Sequence, residues 1–306
     1  MSTSRSARLR AALSLALALL MAITAALSVT ASAASAAKKQ ALAYNRHSIG
    51  LSGVDNAREL GGYVTTRGKT VKFGALLRTA RLSGATKADK KKLTKTYKLL
   101  YDIDLRKDSE VDDYPDPELD GVTYVQLSNL GLGIPDVTFD SWEDFAHVAM
   151  ATQKGVINMH MTNEYRQLVT DATSLECYRE MFQLLLKANG RAVLWHCSSG
   201  KDRTGVAAIL ILSALGVDKE TCIQDYMLTN YYLKEYRDDL EQDVLKYTGS
   251  QWIADDIKWC DGTRREWIET SFDCIDEHYG SMDNFLHEAM GLSNSDLKKL
   301  RKAYLQ

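Results

Sequence analysis

Residues 191–216 read Arg-Ala-Val-Leu-Trp-His-Cys-Ser-Ser-Gly-Lys-Asp-Arg-Thr-Gly-Val-Ala-Ala-Ile-Leu-Ile-Leu-Ser-Ala-Leu-Gly. The first five are a short apolar run of the kind that forms a buried strand. Val206 to Leu215 is almost wholly apolar and ends at Gly216, a helix-stopping residue, so it reads as a core helix. The ten residues between, His196 to Gly205, therefore join a strand end to a helix start. At a helix N-terminus the first amide groups lack internal partners and the helix dipole favours negative charge. Ser198, Ser199 and Gly200 have little bulk, so the backbone can curl around a tetrahedral anion.

Within this loop a cysteine precedes an arginine by six positions. Free cysteine titrates near ~8.5, and helix N-termini or cationic neighbours bring reactive cysteines to between ~3.5 and ~7.5. Cys197 is thus placed as a thiolate nucleophile. Arg203 offers a planar fork for two phosphate oxygens at once. Ser198, Ser199, Gly200, Lys201 and Thr204 complete the cradle, and the Thr204 hydroxyl can donate to the sulfur. The equipment suits a double displacement. Cysteine attacks phosphorus, an acid protonates the leaving oxygen, and water hydrolyses the cysteinyl-phosphate. Asp202 is the first candidate acid. Asp104, at the end of another apolar run, is the second. A nucleotide-binding loop does not fit, since Asp follows Gly200-Lys201 and no glycine stands five residues earlier. A redox dithiol does not fit either, because the chain has no Cys-x-x-Cys.

The segment resembles the active site of the cysteine-dependent protein tyrosine phosphatase superfamily, and in particular its bacterial branch of secreted tyrosine/serine phosphatases. Other segments carry the same likeness. Val54-Asp55-Asn56-Ala57-Arg58-Glu59-Leu60-Gly61-Gly62-Tyr63 is similar to that branch's Asn-x-Arg-Asp-Leu-Gly-Gly-Tyr, with Glu59 in place of its Asp. Leu77-Arg78-Thr79-Ala80 is similar to Tyr-Arg-Ser. Ile103-Asp104-Leu105-Arg106 with Glu110 is similar to Asp-Leu-Arg-x-x-x-Glu. Asp225-Tyr226-Met227-Leu228-Thr229-Asn230 and the closing Gly291-Leu292-Ser293 with Leu297, Leu300 and Tyr304 also match. The likeness covers about residues 45–306. It implies Cys197 as nucleophile, Arg203 as phosphate clamp and Asp202 as acid/base, with Lys201 at a position associated with multiply phosphorylated substrates. It implies no metal or organic cofactor. Some relatives act on phosphoserine/threonine or phosphoinositides as well as phosphotyrosine. Two alternatives use the same loop: a phytase-like inositol polyphosphate phosphatase, and a non-catalytic phospho-ligand binding protein.

The N-terminus is of another kind. Arg5, Arg8 and Arg10 precede an uncharged run from Ala11 to Val29, and Ala31-Ser32-Ala33 and Ala34-Ser35-Ala36 are small-residue cleavage sites. Residues 1–37 read as a cleaved secretory signal peptide rather than a retained membrane anchor. Residues 38–306 are then one catalytic domain, secreted and with no stable membrane insertion. Loss of the three arginines takes the formal charge from −2 to −5. An acidic chain argues against nucleic-acid binding. Besides Cys197 there are Cys177, Cys222, Cys260 and Cys274. In an oxidising compartment they allow three pairings, of which Cys260–Cys274 closes a short loop; Cys177 and Cys222 also suit buried free thiols.

The remaining pattern predicts a hairpin over Gly61–Phe73 turning at Arg67-Gly68-Lys69, a Lys-rich helix over Thr86–Tyr97, and strands over Leu99–Leu105 and Val122–Leu127. Pro115 and Pro117 lie in the turn between those strands. Trp142–Met150 reads as a helix in a region that serves related phosphatases as a lid. Asp136, Asp140, Glu143 or Asp144 could supply an acid from it. Helices are expected over Glu164–Asn189, Lys219–Tyr236, Asp238–Tyr247, Arg265–His278, Met282–Met290 and Ser295–Tyr304. Strands early and helices late give an α/β fold: a small, mostly parallel sheet packed by helices, with a helical lid and a helical C-terminal part. Arg58, Arg78 and Arg106 lie at turns or strand ends, where they contact phosphate, support those that do, or form ion pairs such as Arg106 with Glu110. His196 is a further supporting candidate, and His160 a packing residue.

Overall fold

The computed structural model describes residues 47–129, 142–151 and 154–306. The proposed signal peptide, Asp136 and Asp140 lie outside the described residues. Five strands form one sheet: β1 Arg58–Glu59, β2 Leu76–Thr79, β3 Tyr101–Asp104, β4 Thr123–Gln126 and β5 Val193–His196. Their order is β1-β2-β5-β3-β4. β1 runs antiparallel to β2 and every other pairing is parallel. The central strand β5, Val-Leu-Trp-His, is wholly buried, as a parallel strand covered on both faces should be. The register sets His196 beside Thr79 on one side and Asp104 on the other. The C-terminal ends of β2, β3 and β5 thus meet where the Cys197 loop begins.

The helices, in chain order, are α1 Lys87–Lys91, α2 Asp108–Asp113, α3 Trp142–Ala151, α4 Val156–Gln167, α5 Ala172–Ala188, α6 Asp202–Leu215, α7 Lys219–Met227, α8 Thr229–Tyr232, α9 Lys234–Thr248, α10 Gln251–Cys260, α11 Arg265–Tyr279, α12 Met282–Glu288 and α13 Asn294–Tyr304. α6 is apolar on nearly all sides because it is buried on nearly all sides, packed on β2 and β5 and covered by α7, α12 and α13. Gly216 ends it in the left-handed conformation (φ 93°) with its amide on Leu212 and Ser213 carbonyls. Among the described residues no helix is long and apolar enough to cross a membrane.

The sheet, the catalytic helix and the last three helices match the sequence expectation, and several local features differ. The expected helices Lys219–Tyr236 and Asp238–Tyr247 are three, α7, α8 and α9, with breaks at Leu228 and Leu233. The hairpin over Gly61–Phe73 closes through a Val64–Thr70 bridge and Gly62–Val71, Val71–Tyr63 and Thr65–Lys69 backbone bonds, but its second arm also pairs on its other side: Val71 bridges Leu305, and Thr70 exchanges backbone bonds with Gln306. The expected helix Glu164–Asn189 is two helices. Asp171 interrupts it by capping Thr173 and Ser174 amides at 2.8 and 3.3 Å, the turn-forming habit of Asp overriding helical periodicity. α10 had no counterpart in the expectation. Finally, Cys274 is a free, buried thiol, as are Cys177 and Cys222, so the Cys260–Cys274 bridge is not formed. Burial pushes the Cys177 and Cys222 thiols up to about 12.

Candidate active site

The loop after β5 is held from behind by its carbonyls. Ser198 O accepts from the Arg81 amide at 3.0 Å. Ser199 O and Gly200 O accept from Asn56 Nδ2 at 3.0 and 2.9 Å. Gly200 O also accepts from Arg78 Nη2 at 2.9 Å. In a trans peptide plane the N–H points opposite to the C=O. Capturing three successive carbonyls on the outer side therefore turns the following amides, those of Ser199, Gly200 and Lys201, toward the inner side, where Cys197 lies 2% exposed. Gly200 is required for this curl. Its φ is +65°, and a Cβ there would lie 2.3 Å from Thr79 O.

The anchoring groups are themselves fixed. Arg58 and Arg78, both fully buried, flank Asp225 from α7 at 3.3 and 2.7 Å. Tyr63 Oη donates to the same carboxylate at 3.1 Å. Arg58 also donates to the side-chain oxygen of Asn56, orienting the amide that holds the loop. Asn56 adopts a positive φ of 52°, a conformation that asparagine tolerates better than most residues. Arg78 braces the loop directly and Arg58 through Asn56.

Arg203 lies in the first turn of α6 and is 5% exposed. Its two terminal nitrogens donate to Glu110, Nη1 to Oε2 and Nη2 to Oε1, each at 2.7 Å. Nη1 also reaches Leu105 O at 3.3 Å. That usage leaves the Nε–Nη2 edge for two phosphate oxygens. Glu110 also accepts from Ser198 Oγ at 2.5 Å and the Lys107 amide at 3.0 Å. Burial would raise its pKa, but the Arg203 hydrogen bonds and charge, with Ser198 and Lys107, overcome this and pull it to about 2. The same partnership raises Arg203 further above its ordinary value, against the effect of burial. The sequence offered Arg106 as the partner of Glu110; the structure gives Glu110 to Arg203 instead.

Arg106 belongs to a second buried cluster. Its Nη2 bridges Asp104 and Asp116 at 2.7 Å each, its Nε lies 2.9 Å from Asp104 Oδ1, and Tyr124 Oη donates to Asp104 at 2.9 Å. Burial alone would raise Asp104, but Arg106 and His196 hold it below its ordinary value. Arg106 and Tyr124 thus occupy the Asp104 carboxylate. His196 is fully buried, near Asp116, Asp102 and Asp104 at 3.2, 3.4 and 3.7 Å. Burial opposes its charge, yet the Asp102 bond and the three carboxylates raise it to about 9. Asp104, Asp116 and His196 bring possible metal-ligand atoms within 4.8 Å of one another, but Arg106 and the imidazolium already supply that cluster's positive charge.

Asp202 accepts from Tyr165 Oη at 2.6 Å and lies 3.5 Å from Lys201 Nζ. Lys201, 1% exposed, sits 5.9 Å from the Trp267 ring centroid. The Thr204 hydroxyl is buried and has no hydrogen-bond partner, so its expected donation to the sulfur is not made. Glu143 and Asp144 lie in the first turn of α3, and half-buried His160 has a lowered pKa from burial alone. A cavity of about 250 Å³ borders the loop at Ser198 and Ser199, lined also by Asp55, Arg81, Tyr236 and Asp261.

Sequence reasoning named the loop and assigned Glu110 and Asn56 no role in it. Their signal was present, in the segments around Asn56 and Arg106, but only the fold shows what they grip. Glu164 went unnoticed because it reads as an ordinary first-turn carboxylate of a helix that is in fact two.

The chain is similar in sequence to known phosphatases. The chain is 32% identical over 158 residues to the triple specificity protein phosphatase PtpB of Mycobacterium tuberculosis, covering 48% of this chain and 55% of that protein. It is 29% identical over 283 residues to a Cupriavidus necator protein named for tyrosine-protein phosphatase activity, covering 88% and 92%. A tyrosine-protein phosphatase of Nostoc commune is 29% identical over 180 residues. The match spans about half the length of the mycobacterial and Nostoc proteins. The model of the tyrosine phosphatase family matches residues 49–306, and the chain belongs to that family.

Proposed function

We propose that this protein is a secreted phosphatase that hydrolyses phosphotyrosine monoesters through a cysteinyl-phosphate. The observation that carries the reading is the loop itself: a buried cysteine in a loop whose carbonyls are captured by Asn56 and Arg78, with an arginine whose Nε–Nη2 edge is not taken by Glu110. Cys197 Sγ, as thiolate, attacks phosphorus in line with the leaving oxygen. The amides of Ser199, Gly200 and Lys201 and the open edge of Arg203 bind the equatorial oxygens as charge builds on them. An acid protonates the leaving phenoxide. Water then attacks phosphorus, the S–P bond breaks, and the thiolate returns. Asp202 is the acid that the sequence suggests.

The depth of the nucleophile favours phosphotyrosine, whose ring reaches further than a serine side chain. Activity on phosphoserine/threonine or phosphoinositides is the wider form of the proposal, suggested by the triple specificity in the name of the mycobacterial relative. Burial of Lys201 weighs against its direct contact with a second phosphate in this conformation. Residues 1–37 are proposed to direct export and be removed; N-terminal sequencing of protein recovered from the medium checks this, and an intact Met1 end there would refute it.

The catalytic proposal is tested with Cys197→Ser. Hydrolysis of aryl phosphates without added metal should be abolished, while vanadate or phosphate binding persists because the cradle is intact. Substantial turnover by that variant would remove the mechanism. A panel of phosphotyrosine peptide, phosphoserine peptide, phosphoinositide and inositol hexakisphosphate ranks the substrates.

A further inference from the structure

Glu164 lies on the buried stripe of α4. Ile157, Met161 and Leu168 occupy the same face, seven and three residues before it and four after, and all are buried. Packing at that position calls for an apolar side chain. Instead there is a carboxyl, 4% exposed, and neither of its oxygens has a hydrogen-bond partner. An orphan buried carboxyl is costly, and such costs concentrate at functional sites.

Its surroundings identify the site. The next residue, Tyr165, donates to Asp202 of the loop at 2.6 Å, and the charges acting on Glu164 are those of Asp202, Arg203, Lys201 and Cys197, the nucleophile and the cradle themselves. Its own helix adds half-buried His160 one turn earlier and Tyr165 beside it. Burial, and then the Asp202 charge, raises Glu164 well above the ordinary carboxyl range. Asp202, unlike Glu164, has partners. It accepts from Tyr165 Oη at 2.6 Å, with the Lys201 ammonium 3.5 Å away. Since the single Tyr165 proton goes to Asp202, the 2.5 Å contact between Tyr165 and Tyr226 is a donation from Tyr226. Two phenols in series thus point their protons at Asp202, which serves as an acceptor. One of two neighbouring carboxyls is thus held by donors while the other has none, and that difference in partners divides acceptor from acid.

We infer that Glu164 is the proton carrier of the reaction proposed above, on which this assignment rests. In the first step the Sγ–P bond forms, the P–O bond breaks, and the electron pair left on the departing oxygen takes the Glu164 proton. In the second, water attacks phosphorus and gives its proton to the Glu164 carboxylate. The S–P bond breaks, its electron pair returns to Cys197, and the acid is restored. Asp202 is the fixed negative charge that keeps the proton on Glu164 between turnovers.

The test uses the full chain and a series of aryl phosphates from p-nitrophenyl, a good leaving group, to phenyl and phosphotyrosine, poor ones. Glu164→Gln should lower kcat on the poor leaving groups by roughly 10²–10⁴-fold and on p-nitrophenyl phosphate far less. It should also remove the alkaline fall in kcat that deprotonation of Glu164 gives the parent. Asp202→Asn should keep the parent's dependence on leaving group. Glu164→Met, which completes the apolar stripe, should melt no lower than the parent while sharing the Gln variant's kinetic defect. A parent-like leaving-group dependence in both Glu164 variants, or the steep dependence appearing in Asp202→Asn alone, overturns the assignment. Failure of the unaltered protein to hydrolyse any aryl phosphate would instead overturn the phosphatase reading.

Discussion

Replacing Glu110 with Gln perturbs the clamp at its most constrained point. The variant keeps the shape of the side chain and removes its charge. Glu110 is drawn from its ordinary 4.5 to about 2, against the opposing effect of burial, chiefly by Arg203. At about 1.4 kcal/mol for each tenfold change, that is roughly 3 kcal/mol of folded-state stabilisation of the carboxylate. The pair is largely sequestered, with Arg203 side-chain exposure of 6% and Glu110 of 28%, so solvent screening takes away little of it. An independent expectation agrees. Removing one partner of a buried ion pair costs about 3–5 kcal/mol, because the other charge is left uncompensated.

The sign follows from the direction of the shift. A depressed carboxylate contributes stability that is complete above 4.5 and is lost as pH falls through about 2. Urea unfolding followed by tryptophan fluorescence should therefore show Glu110→Gln less stable by roughly 3 kcal/mol at pH 7, with the gap narrowing to about half of that at pH 3. Catalysis should fall more steeply than stability suggests, by roughly 10²-fold, because the Arg203 edge loses its fixed angle and Ser198 its anchor. A stability gap below about 1 kcal/mol at pH 7, or one equally large at pH 3, would refute the reasoning.

His196, raised from 6.5 to about 9 by Asp102, Asp104 and Asp116 against its burial, contributes stability that is complete below pH 6.5 and lost as pH rises through about 9. Urea unfolding across that window should show a decline of roughly 3 kcal/mol that His196→Gln abolishes; a decline unchanged in the variant would refute it. Gly200→Ala forces a side chain into a positive φ and against Thr79 O. It should cost at least about 1–3 kcal/mol in a thermal melt and remove most aryl phosphate hydrolysis, whereas near-parental activity would show the curl to be unnecessary.

The parts of this protein legible in its sequence are those in which one segment fixes its own surroundings. Val193 to His196 had to be a covered strand and Val206 to Leu215 a covered helix, so the junction at Cys197 to Lys201 was determined by its neighbours in the chain. Arg203 followed from spacing alone. The partners of these groups could not be read so directly, because they arrive from far along the chain: Asn56 is 143 residues from Ser199, Glu110 is 93 from Arg203, and Asp225 is 147 from Arg78. Asp104 looked like an acid because a carboxylate ending a buried strand needs an explanation. Arg106 two residues later was that explanation. Glu164 was hidden for the opposite reason, since a glutamate near a helix start is the commonest of residues until burial removes its water.

The buried arginines are better understood as devices of geometry than of stability. Arg58, Arg78 and Arg106 are each fully buried, and ion pairs so placed contribute little net stability because desolvation consumes the Coulombic gain. Burial and the neighbouring Arg58 lower even the Arg78 guanidinium to about 10. Around Asp225 there are two cations for one carboxylate, and the surplus is not wasted. Arg78 spends its second nitrogen on Gly200 O, and Arg58 orients Asn56, which holds Ser199 O and Gly200 O. The loop carbonyls are thereby drawn outward by groups that cannot move without breaking the Asp225 cluster. Inward-facing amides would otherwise repel one another and relax when no anion is bound. Here the cost of holding them apart is met on folding, through the Asp225 cluster, so less is left to be met during the reaction.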